Sequence, residues 1–389
     1  MPSIRLACFA AALVPLATSA EELPVWFGTY TNPKTSSEGI YVARFDTERG
    51  TFTEPVLAAA VKNPSFLAFH PRLPVLYAVS EMPAADGKPG GAVAAFDVNE
   101  ETGVLAHRGA EASGGGGPCH LTVDPTGKAV LVANYGGGSV ACLGLTAAGE
   151  LEPFAAGPDG SGFVQHVYDR AGVPGINPKR QEKPHAHSVD VAADGRFAFS
   201  CDLGLDEVIV YRLDAERATL APHGRATVAA GAGPRHFALH PGGRLAWCVN
   251  ELDLTVTGFR YDPEAGVLEP VETRSTIPAE VADRTGFSCA EIAAHPSGRF
   301  LYASNRGHDS IAMYAVDEAT GKLTMLGVEP TRVETPRHFA IAPGGRFLLA
   351  AGQNSGTVAV FAIDQATGKL AFTGETVAVP APVCILFRP

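Results

Sequence analysis

The sequence predicts an all-β fold, a seven-bladed β-propeller closed by N- and C-terminal strands that share one blade. Three observations predict it. The run Pro234-Arg235-His236-Phe237-Ala238-Leu239-His240-Pro241-Gly242-Gly243-Arg244-Leu245-Ala246-Trp247-Cys248-Val249-Asn250-Glu251 returns with variations from Pro64, Pro118, Pro184, Phe287 and Pro336, and such self-similarity is the mark of propeller blades. Each copy reads as two short apolar strands joined by a Gly-containing turn. A third strand follows, such as residues 208–211 or 311–314, and a fourth leads into the next copy. The chain ends complete a seventh copy: residues 382–389 match a first strand and 25–30 a second, so joining them closes the ring and removes exposed sheet edges.

Residues 1–20 read as a signal peptide. Arg5 precedes an apolar stretch from Leu6 to Ala17, and Thr18-Ser19-Ala20 supplies small residues for cleavage. The stretch is shorter than the roughly 20 apolar residues that span a bilayer, so export is expected, to the periplasm or beyond the cell. Residues 21–389 are expected to form one propeller domain, interrupted from about 153 to 183 by a Gly- and Pro-rich insertion carrying His166, Tyr168, Asp169, Arg170, Arg180 and Gln181. The insertion runs into Pro184-His185-Ala186-His187, which places it over the same face as those histidines, as a lid or as a plain surface loop.

Composition sets limits. Hydrophobic residues are 46% of the 389, enough for a large folded body, and the 43 Gly and 30 Pro fall at the ends of apolar runs, as turns do. The formal net charge of −11 argues against general affinity for nucleic acid or an anionic membrane, both of which need clustered positive surface. Cys8 leaves with the signal peptide, and the six remaining cysteines include no Cys-x-x-Cys pair, so buried free thiols are expected.

In an antiparallel blade the first strand begins, and the second ends, on one face of the disc. Aligning the copies puts Ser65, Cys119, His187, Arg235, Ala290, Arg337 and Val383 at one equivalent position, and Phe66, His120, Ser188, His236, Glu291, His338 and Cys384 at the next. Second-strand ends carry Tyr30, Glu81, Tyr135, Asp202, Glu251, Arg306 and Gln353. A structural position in a repeat repeats its residue, as the His-Pro of the turns does. These positions hold His, Arg, Glu and Tyr in different blades, which an asymmetric ligand on the axis of a pseudo-symmetric ring would require. The bland alternative is that charged groups at a channel mouth only pair with one another. His70, His240 and His295, which recur with Pro in the turn on the opposite face, read as turn structure.

His185 and His187 form a His-x-His pair, but the arginines 235, 306 and 337 nearby disfavour a cation, so no metal is expected. The Gly114–Gly117 run precedes a strand rather than a helix, and there is no Gly-x-Ser-x-Gly elbow, P-loop or His-Glu-x-x-His, so no cofactor and no covalent serine are expected.

The motifs Arg180-Gln181, Pro184-His185-Ala186-His187-Ser188-Val189, Gly233-Pro234-Arg235-His236, Asn250-Glu251, Ala290-Glu291-Ile292, Ser304-Asn305-Arg306 and Pro336-Arg337-His338-Phe339 together resemble the lactonase family of seven-bladed propellers. That family includes bacterial 6-phosphogluconolactonases and a fungal carboxy-cis,cis-muconate cyclase. The resemblance runs from Val25 to Pro389. It implies metal-independent opening or closing of a lactone on an anionic sugar acid or dicarboxylate, with His187, Glu251, Arg235 and Arg306 at the positions of the family's His, Glu and two Arg. The signal peptide departs from that pattern, because a phosphorylated gluconolactone is a cytosolic metabolite.

On this reading the catalytic candidates are Glu251, His187, Arg235 and Arg306. Either Glu251, its pKa raised by burial, or His187 is the general base, and the two arginines hold the substrate's anion, with one of them or His236 facing the oxyanion. His185, His236, Arg337, His338, Glu291 and His120 are substrate-binding candidates. The expected partner is a small anionic lactone or sugar acid, and the chain is expected to be a monomer. Replacing Glu251 with Gln is expected to slow turnover with little loss of stability. Two other readings stand beside this one: a non-enzymatic binding propeller, and a propeller enzyme of another class.

Overall fold

Each copy of the repeat forms the inner half of a four-stranded antiparallel sheet. In the computed structural model, which describes residues 22–82, 90–154, 161–170 and 172–388, the copy beginning at Pro234 gives strands Pro234–Leu239, Leu245–Asn250, Thr255–Asp262 and Val267–Ser275, paired in that order. Six such sheets and a seventh, in which the outer strand is split into two segments (Thr51–Phe52 and Val56–Ala60), form a propeller. Numbered by their innermost strands, the blades start with Leu67–Phe69, Pro118–Val123, Ala186–Val191, Pro234–Leu239, Ser288–Ala294, Pro336–Ile341 and Pro382–Phe387. Each innermost strand contacts the next, and the last contacts the first, so the ring is closed around a central channel.

The second strands explain why the sequence reads as short uninterrupted apolar runs. A blade is covered on both faces by its neighbours, so Leu245–Asn250, Phe197–Asp202 and Phe347–Gly352 are buried along their whole length. The core is accordingly a set of inter-blade layers. Phe199 of blade 3 stacks on Phe237 of blade 4 at 5.0 Å, and Trp247 of blade 4 packs with Ile292, Leu301 and Tyr314 of blade 5.

The chain ends meet in blade 7, where Val25, Trp26 and Phe27 pair with Phe387, Leu386 and Ile385. The N-terminal strand runs Glu22–Thr29, three residues further toward the terminus than its apolar stretch suggests. The predicted signal peptide lies outside the described residues. The insertion differs from a plain loop: Phe163–Gln165 pairs with Ser139–Ala141 as the outer strand of blade 2, and Phe163 packs on Phe154. With only three residues, that strand carries too little pattern to be read from sequence.

The turn histidines join blades on the face away from the site. His70, His240 and His295 each accept or share a turn hydrogen bond at Nδ1 and turn Nε2 to the carbonyl of Gly127, Gly298 or Gly345 in the next blade, at 3.0, 3.1 and 2.8 Å. Those glycines have φ of +71°, +75° and +71°, and a Cβ at any of them would lie within 2.7 Å of the histidine ring. Replacing His240 with Ala should therefore lower the unfolding free energy by about 1–3 kcal/mol through the unpaired turn amide and carbonyl, read from the denaturant midpoint.

Candidate active site

The first strands do not begin as regular ladders. Pro234 pairs with Asn250 and His236 with Val249, so Arg235 is an extra residue, a bulge. The same shift isolates His187 between Ala186 and Ser188, Arg337 between Pro336 and His338, and Cys119 between Pro118 and His120. A bulge re-aims the side chain it isolates. Two consecutive residues can then both serve the channel, one at its mouth and one a layer deeper, where strict alternation would send one of them away.

The mouth layer surrounds a cavity of about 220 Å³ walled by Glu81, Cys119, Tyr135, Arg180, His187, Glu251, Arg306 and Arg337. Larger hollows lie elsewhere, about 590 Å³ beside His70 and Lys128 and about 490 Å³ beside His166 and Tyr211. Polar groups there pair with one another: Lys128 pairs with Glu216, and His166 bridges Asp202 and Tyr211, both at 2.6 Å. The smaller cavity is where unlike charges converge.

Glu251 is its hub. The carboxylate is 3% exposed; Oε1 accepts from Arg180 Nη2 at 2.6 Å, and Oε2 from Arg235 Nε at 3.1 Å and Arg306 Nη2 at 3.0 Å. Burial pushes the carboxyl up, but the guanidinium groups of Arg306, Arg235 and Arg180 outweigh it and hold Glu251 at about 2. That direction is opposite to the one a buried base would need. The sequence pattern shows burial of the strand end but not that three cations share it. Arg235 stands behind Glu251, outside the cavity wall, and its Nη1 donates to the Ala290 carbonyl at 2.6 Å. Burial, with Arg337 and Arg306 nearby, lowers Arg235 to about 10, which still leaves it charged at neutral pH. Arg306 faces the cavity and also donates to the Cys289 carbonyl at 2.8 Å.

His187 faces the same space as an uncharged imidazole. Burial, then the charge of Arg235 and the neighbouring His236, drive its pKa well below 6.5. Its ring meets Tyr135 edge-on at 5.2 Å, and Cys119 Sγ lies 3.7 Å from Nδ1. Arg337 sits over the Tyr30 ring, its guanidinium carbon 5.5 Å from the centre. Among the described residues it donates to no protein acceptor. Burial disfavours its charge, but Tyr30, Glu81 and Glu251 more than restore it.

Beneath this layer His236 Nδ1 lies 2.9 Å from Glu291 Oε2, and His338 Nε2 lies 3.3 Å from the same oxygen. His120 lies tilted against Phe66, ring centres 4.1 Å apart, and meets His236 edge-on at 5.1 Å. Burial lowers all three imidazoles and raises Glu291. His236 connects the layers, its ring 5.3 Å from that of His187. His185 lies beside the cavity wall: it stacks on Tyr135 at 4.4 Å and its Nδ1 donates to the Tyr135 carbonyl at 3.0 Å, so it props the wall.

Of the candidates read from sequence, then, His187, Glu251, Arg306 and Arg337 wall the cavity, Arg235 backs Glu251, His120, His236, His338 and Glu291 form the deeper layer, and His185 is a prop. Glu81, Tyr135 and Cys119 belong to the wall as well; they occupy the aligned strand-end positions, which was their signal. Arg180 stood out only as a cation of the insertion and as part of the Arg180-Gln181 motif of the family resemblance, with no place in the site assigned to it. The insertion delivers it, tied down by Gln181, whose Nε2 donates to Asp206 Oδ1 at 2.7 Å and to the Leu203 carbonyl at 2.9 Å. No group of three or more His, Cys, Asp or Glu among the described residues is placed to hold a metal ion. All six described cysteines are buried free thiols.

Comparison with known proteins identifies the family and agrees with the fold. A family model described as a seven-bladed β-propeller lactonase matches residues 24–387. A Bacillus subtilis protein named 6-phosphogluconolactonase is 35% identical over 363 residues, 93% of this chain and 97% of that protein. Among solved structures, a putative 6-phosphogluconolactonase from Bacteroides uniformis superposes with a TM-score of 0.84 at 34% identity, covering 94% of this chain and 99% of the other. A periplasmic gluconolactonase from Pseudomonas aeruginosa gives 0.83 at 32% identity, covering 95% and 99%.

Proposed function

The chain belongs to the lactonase family of seven-bladed β-propellers, and on that premise we propose that it hydrolyses a sugar lactone carrying an anionic group, of the 6-phosphogluconolactone kind, without a metal. The observation that carries the reading is the pairing, in one small cavity, of an uncharged imidazole, His187, with a guanidinium, Arg337, that no acceptor among the described residues occupies.

In this reading Arg337 takes the substrate's phosphate or carboxylate by charge-assisted hydrogen bonds. A ring nitrogen of His187 removes a proton from water as the water oxygen bonds to the lactone carbonyl carbon. The carbonyl π electrons move to oxygen, and Arg306 or Arg180 faces the oxyanion. When the carbonyl re-forms, the bond to the ring oxygen breaks, and that oxygen takes the proton held by His187, giving the hydroxy acid. Glu251 does not act as base here: both its oxygens already accept from guanidinium groups, and it holds Arg180 and Arg306 in direction.

Residues 1–20 favour export of the mature chain, and the periplasmic gluconolactonase among its relatives makes the unphosphorylated lactone the second substrate to try. The test is hydrolysis of 6-phosphogluconolactone and of glucono-1,5-lactone by the mature protein, corrected for spontaneous opening, with and without a chelator. Chelator-resistant turnover, faster on the phosphorylated lactone, is the expected result. Turnover abolished by chelator would overturn the metal-free mechanism, and no turnover of either lactone would overturn the assignment.

A further inference from the structure

The cavity holds two opposite charges that do not meet. Glu81 and Arg337 both line it, yet among the described residues they form no ion pair. Tyr30 keeps them apart by occupying each: its ring carries the Arg337 guanidinium at 5.5 Å, and its hydroxyl donates to Glu81 Oε2 at 2.9 Å. Ser65 donates to the same oxygen. Both donors fall on Oε2, so the carboxylate is held in direction while Oε1 accepts from no described donor. An acceptor fixed in place and left open at a cavity wall is arranged for a donor on the ligand.

The surroundings decide what kind of donor. Arg180, Arg235 and Arg306 share the single carboxylate of Glu251, and Arg337 adds another positive charge, so an ammonium group would be repelled. An anion would be repelled by Glu81 itself. A neutral hydroxyl suits both.

We infer that Glu81 is a specificity-determining residue, whose Oε1 accepts a hydrogen bond from a ligand hydroxyl while Arg337 holds the same ligand's anionic group, so that the site selects polyhydroxylated acids and their lactones over plain alkyl ones. This rests on the reading of the cavity as a lactone site, but its test needs no turnover. Binding of D-gluconate and of hexanoate, which share a carboxylate and differ in hydroxyls, is measured by calorimetry on the mature protein and on Glu81→Gln. The wild type binds gluconate more tightly. The variant, which loses the charged acceptor, weakens gluconate about 10-fold, whereas hexanoate holds or tightens because a negative charge has left the anion's surroundings.

That opposition of sign separates recognition from a structural role, which would weaken both ligands together. Tyr30→Phe keeps the ring beneath Arg337 and removes only the hydroxyl that fixes Glu81; it shows the same selective loss, smaller in size, and decides the matter if Glu81→Gln folds poorly. Equal weakening of both ligands, or gluconate binding that ignores both substitutions, overturns the inference. Selective binding without hydrolysis of any lactone would overturn the hydrolase reading and leave this subsite standing.

Discussion

Replacing His187 with Gln should lower kcat for lactone hydrolysis by about 10²- to 10⁴-fold, the range that a positioned general base contributes, with KM changed far less. Gln is close to the imidazole in size and carries no charge. Because His187 is itself uncharged in this site, the swap leaves the balance around Glu251 and Arg337 as it was. The wild-type pH profile gives the companion test. Burial and the Arg235 charge place the His187 pKa well below 6.5, so the base stays unprotonated, and kcat/KM should stay level from pH 8 down past 6 and fall only on the acid side of that. An inflection near 6.5 would mean that the group in control is a solvated histidine. A His187→Gln enzyme retaining most of its kcat would remove His187 from the chemistry.

How much of this could be read before the structure follows from what a repeat reveals. Blade number, strand order and the sharing of blade 7 by the chain ends are visible because copies of one pattern can be aligned, and the closing pairs, Val25 with Phe387 and Phe27 with Ile385, follow from the same register. The alignment also exposed the mouth of the channel, since Glu81, Tyr135, His187, Glu251, Arg306 and Arg337 all sit where the repeat changes residue type. What alignment cannot give is direction. Arg235 and Arg337 occupy equivalent bulged positions in blades 4 and 6, yet one stands behind Glu251 with its donors used and the other faces the cavity over Tyr30. The difference lies in which residues come near, Glu251 of its own blade and Ala290 of blade 5 for the first, Tyr30 of blade 7 and Glu81 of blade 1 for the second. The place of Arg180 in the site, though the residue was part of a recognised motif, was hidden for another reason: it reaches Glu251 from an insertion with no counterpart in other blades, so there was no copy to compare it with.

Glu251→Gln should unfold more easily than the wild type by about 3–5 kcal/mol, the usual consequence of removing one partner from a buried ion pair, and this reverses the expectation of a stability-neutral substitution. The cost falls on the partners. Arg180 is partly exposed and can turn to water, but the Arg235 side chain is 2% exposed and the Arg306 side chain 15%, so two guanidinium groups would stay inside the protein without their counter-charge. Glutamine can still accept a hydrogen bond at its oxygen, but it offers no charge, and its amide nitrogen would face a cation as a donor. The pH dependence fixes the cause. The folded-state pKa of Glu251 lies near 2, below the value of about 4.3 for an unfolded glutamate. Its contribution is therefore complete above that unfolded value and is lost as pH falls through the folded one. The difference in denaturant unfolding free energy between wild type and Glu251→Gln should thus be constant from pH 8 to about 5 and shrink as pH falls below about 4, where the wild-type carboxylate itself takes up a proton. Turnover should fall as well, since Arg180 and Arg306 lose the group that aims them. If turnover collapsed while stability stayed within about 1 kcal/mol of wild type across that range, Glu251 would be acting on the substrate directly, and the base would have to be reassigned from His187.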